Sequence, residues 1–129
     1  MKAIVGLDHV QVAAPPVCEE EARRFYGELL GLVERVKPPA LAPRGGVWFR
    51  AGAEELHVGV VADGFVPAVK AHPAFRVSSV AALEALVQRL EQDGVEVVHA
   101  DPGEIPGAKR VFVRDPWGNR LELVARVAA

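Results

Sequence analysis

Apolar and polar positions alternate from Leu7 to Ala13, the period of a half-buried strand, and the alternation stops at Pro15-Pro16. The period then lengthens. Between Glu19 and Leu30, the residues Ala22, Phe25, Tyr26, Leu29 and Leu30 fall at helical spacing, and Gly31 supplies a C-terminal stop. Strand-like runs follow at 33–36, 47–50 and 55–61, separated by Pro38-Pro39, Pro43, Gly45-Gly46 and Gly52. The second half repeats this order. A strand is expected at 72–77, then a helix opening at Ser79 with Val80, Leu83, Leu86, Val87 and Leu90 on one face. Further strands are expected at 95–99, 109–114 and 120–127, with Asp115-Pro116-Trp117-Gly118 carrying the residues of a type I turn between the last two.

Two markers share one offset. His9 and His72 are 63 residues apart, and so are Gly31 and Gly94. With the order of elements agreeing, the chain reads as a duplicated β-α-β-β-β unit, an α+β fold. The expected organisation is one domain over residues 1–129, with one module at about 4–62 and the other at about 70–127.

Strand alternation sends neighbouring residues to opposite faces, and the more uniformly apolar set should face the helices. Val10, Val12, Val47, Phe49, Leu56, Val58 and Val60 form that set in the first half. In the second, Phe75, Val77, Val111, Val113, Leu121 and Leu123 form it. The other face collects His9, Gln11, Trp48, Arg50, Glu55 and His57, and then His72, Arg76, Arg110, Phe112 and Glu122. A solvated sheet face accounts for arginines taken singly. Three of the four histidines share this parity, which favours a polar-lined cleft; His99 falls outside the pattern.

Composition narrows the function classes. A chain of 129 residues and 13.8 kDa suits one domain, and its net charge of −2 gives no basic footprint for nucleic acid. Apolar runs are shorter than a membrane span needs, and the N-terminal stretch meets Asp8 before any long apolar region, so no secretory signal is expected. The single cysteine, Cys18, excludes an internal disulfide framework and fits a reducing, cytoplasmic location. Cys18 sits at a helix start, where its pKa could fall, but Glu19, Glu20 and Glu21 oppose this and mark it as a structural thiol. No Gly-rich phosphate loop, nucleophile elbow or Cys-x-x-Cys pair occurs.

The doubled unit, the opening Leu-Asp-His-Val-Gln-Val, the helical Phe-Tyr-Gly-Glu-Leu-Leu-Gly-Leu, the mid-chain Ala-His-Pro-Ala-Phe and the closing Asp-Pro-Trp-Gly-Asn-Arg-Leu-Glu-Leu resemble the glyoxalase/bleomycin-resistance/extradiol dioxygenase group, the vicinal-oxygen-chelate superfamily. The resemblance covers nearly the whole chain. It implies two tandem βαβββ modules forming curved mixed sheets around a metal-binding cleft. It also implies a divalent metal (Zn, Ni, Fe, Mn or Co) held by His9, His72 and Glu122. Glu55 would complete the His/Glu/His/Glu set of bacterial glyoxalase I, and His57 is the alternative fourth ligand or a substrate contact. Glu122 and Glu55 would be the catalytic carboxylates. A homodimer is implied too.

Two imidazoles and a carboxylate suit first-row divalent metals, and such an ion can chelate adjacent substrate oxygens while a loosened carboxylate moves a proton. His57, Trp48, Arg50, Arg110 and Phe112 are the expected substrate contacts, the arginines favouring an anionic small molecule and the aromatics giving apolar walls. The run Leu56-His57-Val58-Gly59-Val60 lacks the Thr and Asn that help place glutathione in glyoxalase I. The resemblance therefore implies a metal-dependent lyase or isomerase of glyoxalase type, or else a small dioxygenase or an epoxide-opening thiol transferase. A metal-free binder of the bleomycin-resistance kind is the rival from a different class.

Overall fold

The computed structural model describes residues 2–127, and the chain divides into two units between Val66 and Pro67. In the first unit the alternating segment forms β1 (His9–Ala14), and the following acidic run opens α1 (Glu19–Ala22), where the negative side chains complement the helix dipole. The helix then widens into a π-helical stretch, Arg23–Leu29, in which Leu30 N–H donates to the Phe25 carbonyl five residues back. Phe25, Tyr26 and Leu29 still reach the core, as their spacing predicts. Gly31 ends the helix at φ 80°, a conformation that favours glycine. Strands β2 (Val33–Arg35), β3 (Val47–Ala51) and β4 (Glu54–Val60) complete the unit.

The sheet order is β1-β4-β3-β2. β1 and β4 run parallel, and the other pairs are antiparallel. Val12, Val47, Phe49, Leu56 and Val58 are buried, and Phe49 meets Tyr26 with ring centroids 5.9 Å apart. The apolar parity therefore faces the helix, as the alternation predicts. His57 is the exception: it lies on the polar parity and is 5 % exposed.

The second unit repeats the plan with β5 (Ala74–Val77), α2 (Val80–Gln92), β6 (Val98–His99), β7 (Ala108–Arg114) and β8 (Arg120–Arg126). Its sheet order is β5-β8-β7-β6, again with the first strand parallel to the last. Ser79 caps α2 by accepting from Ala82 N–H at 3.0 Å, and Leu83, Val87 and Leu90 pack inward. The turn from β7 to β8 is built on Asp115, whose carbonyl accepts from Gly118 N–H at 3.0 Å and whose side chain accepts from Trp117 and Asn119 N–H.

Three strand starts differ from the alternation by two residues or more. β1 begins at His9 rather than Leu7. β6 is confined to Val98–His99, so the apolar character of Val95 and Val97 does not become ladder. β5 begins at Ala74, two residues after His72, because Pro73 has no N–H to give a ladder and instead offers its carbonyl to Glu122 N–H at 3.0 Å.

Glycine is required at one close approach. Gly46 sits at φ 84°, its N–H donates to Glu19 Oε2 at 2.7 Å, and a Cβ there would collide with the Val58 carbonyl. Gly52, at φ 65°, has open space around the same position. Gly52→Ala should therefore cost only the left-handed strain, about 1–2 kcal/mol. Gly46→Ala adds the collision and the displaced hydrogen bond, for about 2–4 kcal/mol. Equal losses in denaturant unfolding of the two variants would show that the approach to Val58 carries no weight.

Candidate functional site

In the second unit, parallel pairing puts Glu122 on a strand with neighbours on both sides, opposite Ala74 on β5 and Phe112 on β7. Leu121 and Leu123 hold the core side, which turns Glu122 to the other face, where it is 8 % exposed. A carboxylate so placed needs partners. It has two. His72 Nε2 lies 3.0 Å from Oε1, and Arg110 Nε donates to Oε2 at 2.8 Å. Burial alone would raise the Glu122 pKa, but the hydrogen bonds from Arg110 and His72, with their charges, outweigh it and leave the group below its usual 4.5. Arg110 is raised in turn, chiefly by its hydrogen bond to Glu122. His72 Nδ1 lies 2.8 Å from the Lys70 carbonyl, so both ring nitrogens are held. Phe112 lies beside these groups: its ring is edge-on to His72 at 5.8 Å and lies under the Arg110 guanidinium at 5.3 Å and the Arg120 guanidinium at 4.1 Å.

The first unit builds a different cluster on the equivalent face. His57 is sandwiched between Trp48, stacked at 3.8 Å and 2°, and His9, stacked at 4.2 Å and 16°. Its Nε2 lies 3.0 Å from Glu55 Oε1, and Arg35 pairs with Glu55 Oε2 at 3.0 Å. The hydrogen bond to His57 is the main reason the Glu55 carboxyl lies below its usual range, with Arg35 adding to it. His9 Nδ1 rests 2.7 Å from Asp8 Oδ1. Of the expected first-unit residues, His9, Trp48, Glu55 and His57 come together. Arg50 stands opposite Glu55 in the register, but its side chain is exposed and Arg35 takes the carboxylate instead.

The two clusters can be matched position by position. Glu122 lies between Leu121 and Leu123, opposite Phe112, in reach of the histidine that precedes β5. In the first unit those relations belong to His57, which lies between Leu56 and Val58, opposite Trp48, in contact with His9. The position of Glu122 is thus held by His57, and Glu55 is the acid two residues earlier that hydrogen-bonds it. Arg35 and Arg120 were not legible as site residues. β2 is too short to show a parity, and Arg120 falls at the edge of a turn motif.

The donor sets differ in how they fit a metal ion. His72 and Glu122 offer an imidazole and a carboxylate oxygen side by side, a pair that suits a first-row divalent ion. The near-parallel rings of His9 and His57 direct their in-plane lone pairs along separate planes, so as stacked they do not converge on an ion about 2.0–2.1 Å from each nitrogen. Among the described residues, no group of three or more His, Cys, Asp or Glu side chains is placed to hold one. Cys18 is no nucleophile: burial and the neighbouring Glu19 push its thiol up to about 11. No helix of the described residues is long and apolar enough to cross a membrane.

Comparison with known proteins agrees with this architecture. A protein of Bacillus anthracis assigned to the glyoxalase family is 47% identical in sequence, covers 98% of each chain and superposes with a TM-score of 0.89. The lactoylglutathione lyase of Agrobacterium tumefaciens is 23% identical, with 96% of each chain covered and a TM-score of 0.73. A genomically encoded fosfomycin resistance protein of Listeria monocytogenes is 17% identical, covering 95% of this chain and 93% of its own, with a TM-score of 0.73. The last two show likeness of fold alone. No curated protein matches the chain. The family model described as Glyoxalase/Bleomycin resistance protein/Dioxygenase superfamily matches residues 6–123, and the chain belongs to that superfamily.

Proposed function

We propose that the protein is a metal-dependent enzyme that acts on a small, oxygenated, anionic substrate by chelation and proton transfer, an isomerase or lyase reaction of glyoxalase type. The observation that carries this reading is the buried Glu122 carboxylate, held ionised within 3.0 Å of His72 Nε2. His72 and Glu122 would hold the ion, with His9 and Glu55 as the further donors that the family resemblance implies; His57, stacked on His9, does not converge with it. Such an ion supplies Lewis-acid polarisation of adjacent substrate oxygens.

The chain's own groups do the rest. Glu122 Oε1 is the oxygen that gives up its imidazole contact and takes a proton next to a substrate carbonyl, while Arg110 keeps Oε2 fixed and the carboxylate oriented. Phe112 and Trp48 supply apolar surface beside the polar groups. A homodimer accompanies this reading, supported by edge strands β1 and β2 in one sheet and β5 and β6 in the other.

A second reading, a metal-free small-molecule binder, is favoured by one observation: both Glu122 oxygens are already satisfied by His72 and Arg110. Metal analysis of protein purified without chelator separates the two. The enzyme reading expects about one equivalent of a divalent transition metal per chain, lost in His72→Ala and Glu122→Gln; less than about a tenth of an equivalent in the wild type favours the binder.

The electrostatics of Glu122 can be checked directly. Its folded pKa is depressed, so its contribution to stability is present above about pH 4.5 and is lost as pH falls through the folded value. Arg110→Met removes the strongest opposing hydrogen bond and leaves burial less compensated. Carboxyl-detected NMR titration should then show the Glu122 midpoint moving up and its share of acid-sensitive stability shrinking. An unmoved midpoint would mean that Arg110 does not hold the carboxylate ionised.

A further inference from the structure

The second unit carries an arginine that its own chain leaves without an acidic partner. Arg120 opens β8 directly after the Asp115–Asn119 turn, where its N–H donates to the Ala68 carbonyl at 2.9 Å and fixes its backbone. Its side chain lies over Phe112 with the guanidinium carbon 4.1 Å from the ring centroid. The residue is half-buried, and among the described residues no carboxylate pairs with it. Arg110, on the other strand, also reaches Phe112 but is neutralised by Glu122 at 2.8 Å. One aromatic ring therefore carries two guanidinium groups, one balanced and one not.

The rest of this sheet face deepens the imbalance. Arg114 stands opposite Arg120 in the β7–β8 register, donating to the Gly118 carbonyl at 3.1 Å, and Arg76 lies on the same parity of β5 opposite Val124. Of the acids that act on Arg110, Glu122 is committed to His72 and to Arg110 itself, and Glu104 acts at a distance. A guanidinium stacked on an aromatic ring has its apolar face satisfied and its orientation restricted, while its N–H donors remain in plane around the edge. That fork matches the two oxygens of a carboxylate or a phosphoryl group. Partial burial makes the unmet charge costlier than it would be in water, so an anion placed there gains more than at an exposed arginine.

We propose that Arg120, seated on Phe112, grips an oxyanion of the substrate, and that the substrate class of this site is a small molecule bearing a carboxylate, phosphate or phosphonate group. This rests on the reading that substrate enters beside Glu122, but it does not need a metal. Phe112 is then a positioning residue that holds the fork, and Arg110 serves Glu122 rather than the ligand.

The test uses the full-length protein and three probes (acetate, inorganic phosphate and methylphosphonate), each titrated against sodium chloride at equal ionic strength. Arginine side-chain Nε–H NMR signals and calorimetry are the readouts. A saturable shift of the Arg120 signal is expected with at least one probe. Arg120→Gln should weaken binding about 10- to 100-fold, the loss of a charge-assisted contact, with Arg120→Lys intermediate and Lys109→Gln, on the helix side, unchanged. Preference for acetate assigns a carboxylate, and preference for phosphate or methylphosphonate assigns a phosphoryl group; both support the proposal. An Arg120 signal that chloride moves equally, or an unchanged affinity in Arg120→Gln, overturns it. If that variant fails to fold, the wild-type Arg120 signal decides alone. Metal content is measured on the same samples: a metal-free protein that still binds through Arg120 loses the metal-dependent reading and keeps this one.

Discussion

In each unit the first strand pairs in parallel with the last, β1 with β4 and β5 with β8, and most of the chemistry follows from that pairing. A parallel connection cannot be a tight hairpin, so a longer crossover is needed, and the helix within it covers one face of the sheet. The last strand is thereby flanked on both sides. Residues at its centre are buried even on the face away from the helix. A polar side chain placed there must be fully satisfied by its neighbours, and those neighbours are fixed by the register. Glu122 and His57 are the two residues that meet this condition on the polar parity, and each sits at the centre of a cluster. Their burial comes before any functional argument.

What the duplicated plan does with that central position differs between the units. In the second, a carboxylate is placed there, and it draws one imidazole and one guanidinium to itself. In the first, an imidazole is placed there, and it is clasped between two rings while an acid two residues away orients its Nε2. A histidine that hands one ring nitrogen to a carboxylate has its tautomer and orientation set, the arrangement that commonly supports an imidazole whose other nitrogen is used. Glu55, anchored by Arg35, is well placed for that supporting work. One backbone plan therefore yields an anion-centred cluster and a ring-stacked one.

The sequence made the plan legible because both signals are periodic. The alternation separated Val47 and Phe49 from Trp48 and Arg50, and the shared offset of His9 and Gly31 with His72 and Gly94 exposed the repeat. Register was not legible, since a shift of two residues leaves the face unchanged. Glu55 and His57 are related by such a shift, and only their cross-strand partners separate them. His72 was legible as a site residue but not as lying before its strand, because the lone missing donor of Pro73 decides that boundary. Arg35 escaped because a strand of three residues shows no period.

Arg120 shows why composition hides such a site. The chain is acidic overall, with 17 acids against 15 basic residues, yet the balance is drawn unevenly. Lys109 pairs with Glu84 of α2, on the helix side, while Arg76, Arg110, Arg114 and Arg120 share the parity of Glu122. Arg110 and His72 hold the one carboxylate among these groups ionised, and the remaining guanidinium groups leave positive charge to spare. The Arg110 charge lowers the Glu122 pKa and the unmatched Arg120 charge attracts an anion to its side, so the residue suited to take up a proton and the residue suited to hold the substrate's charge stand on one positively charged face. Removing the Arg110 charge should disturb Glu122 and removing the Arg120 charge should disturb the anion, whereas a substitution on the α2 side should disturb neither.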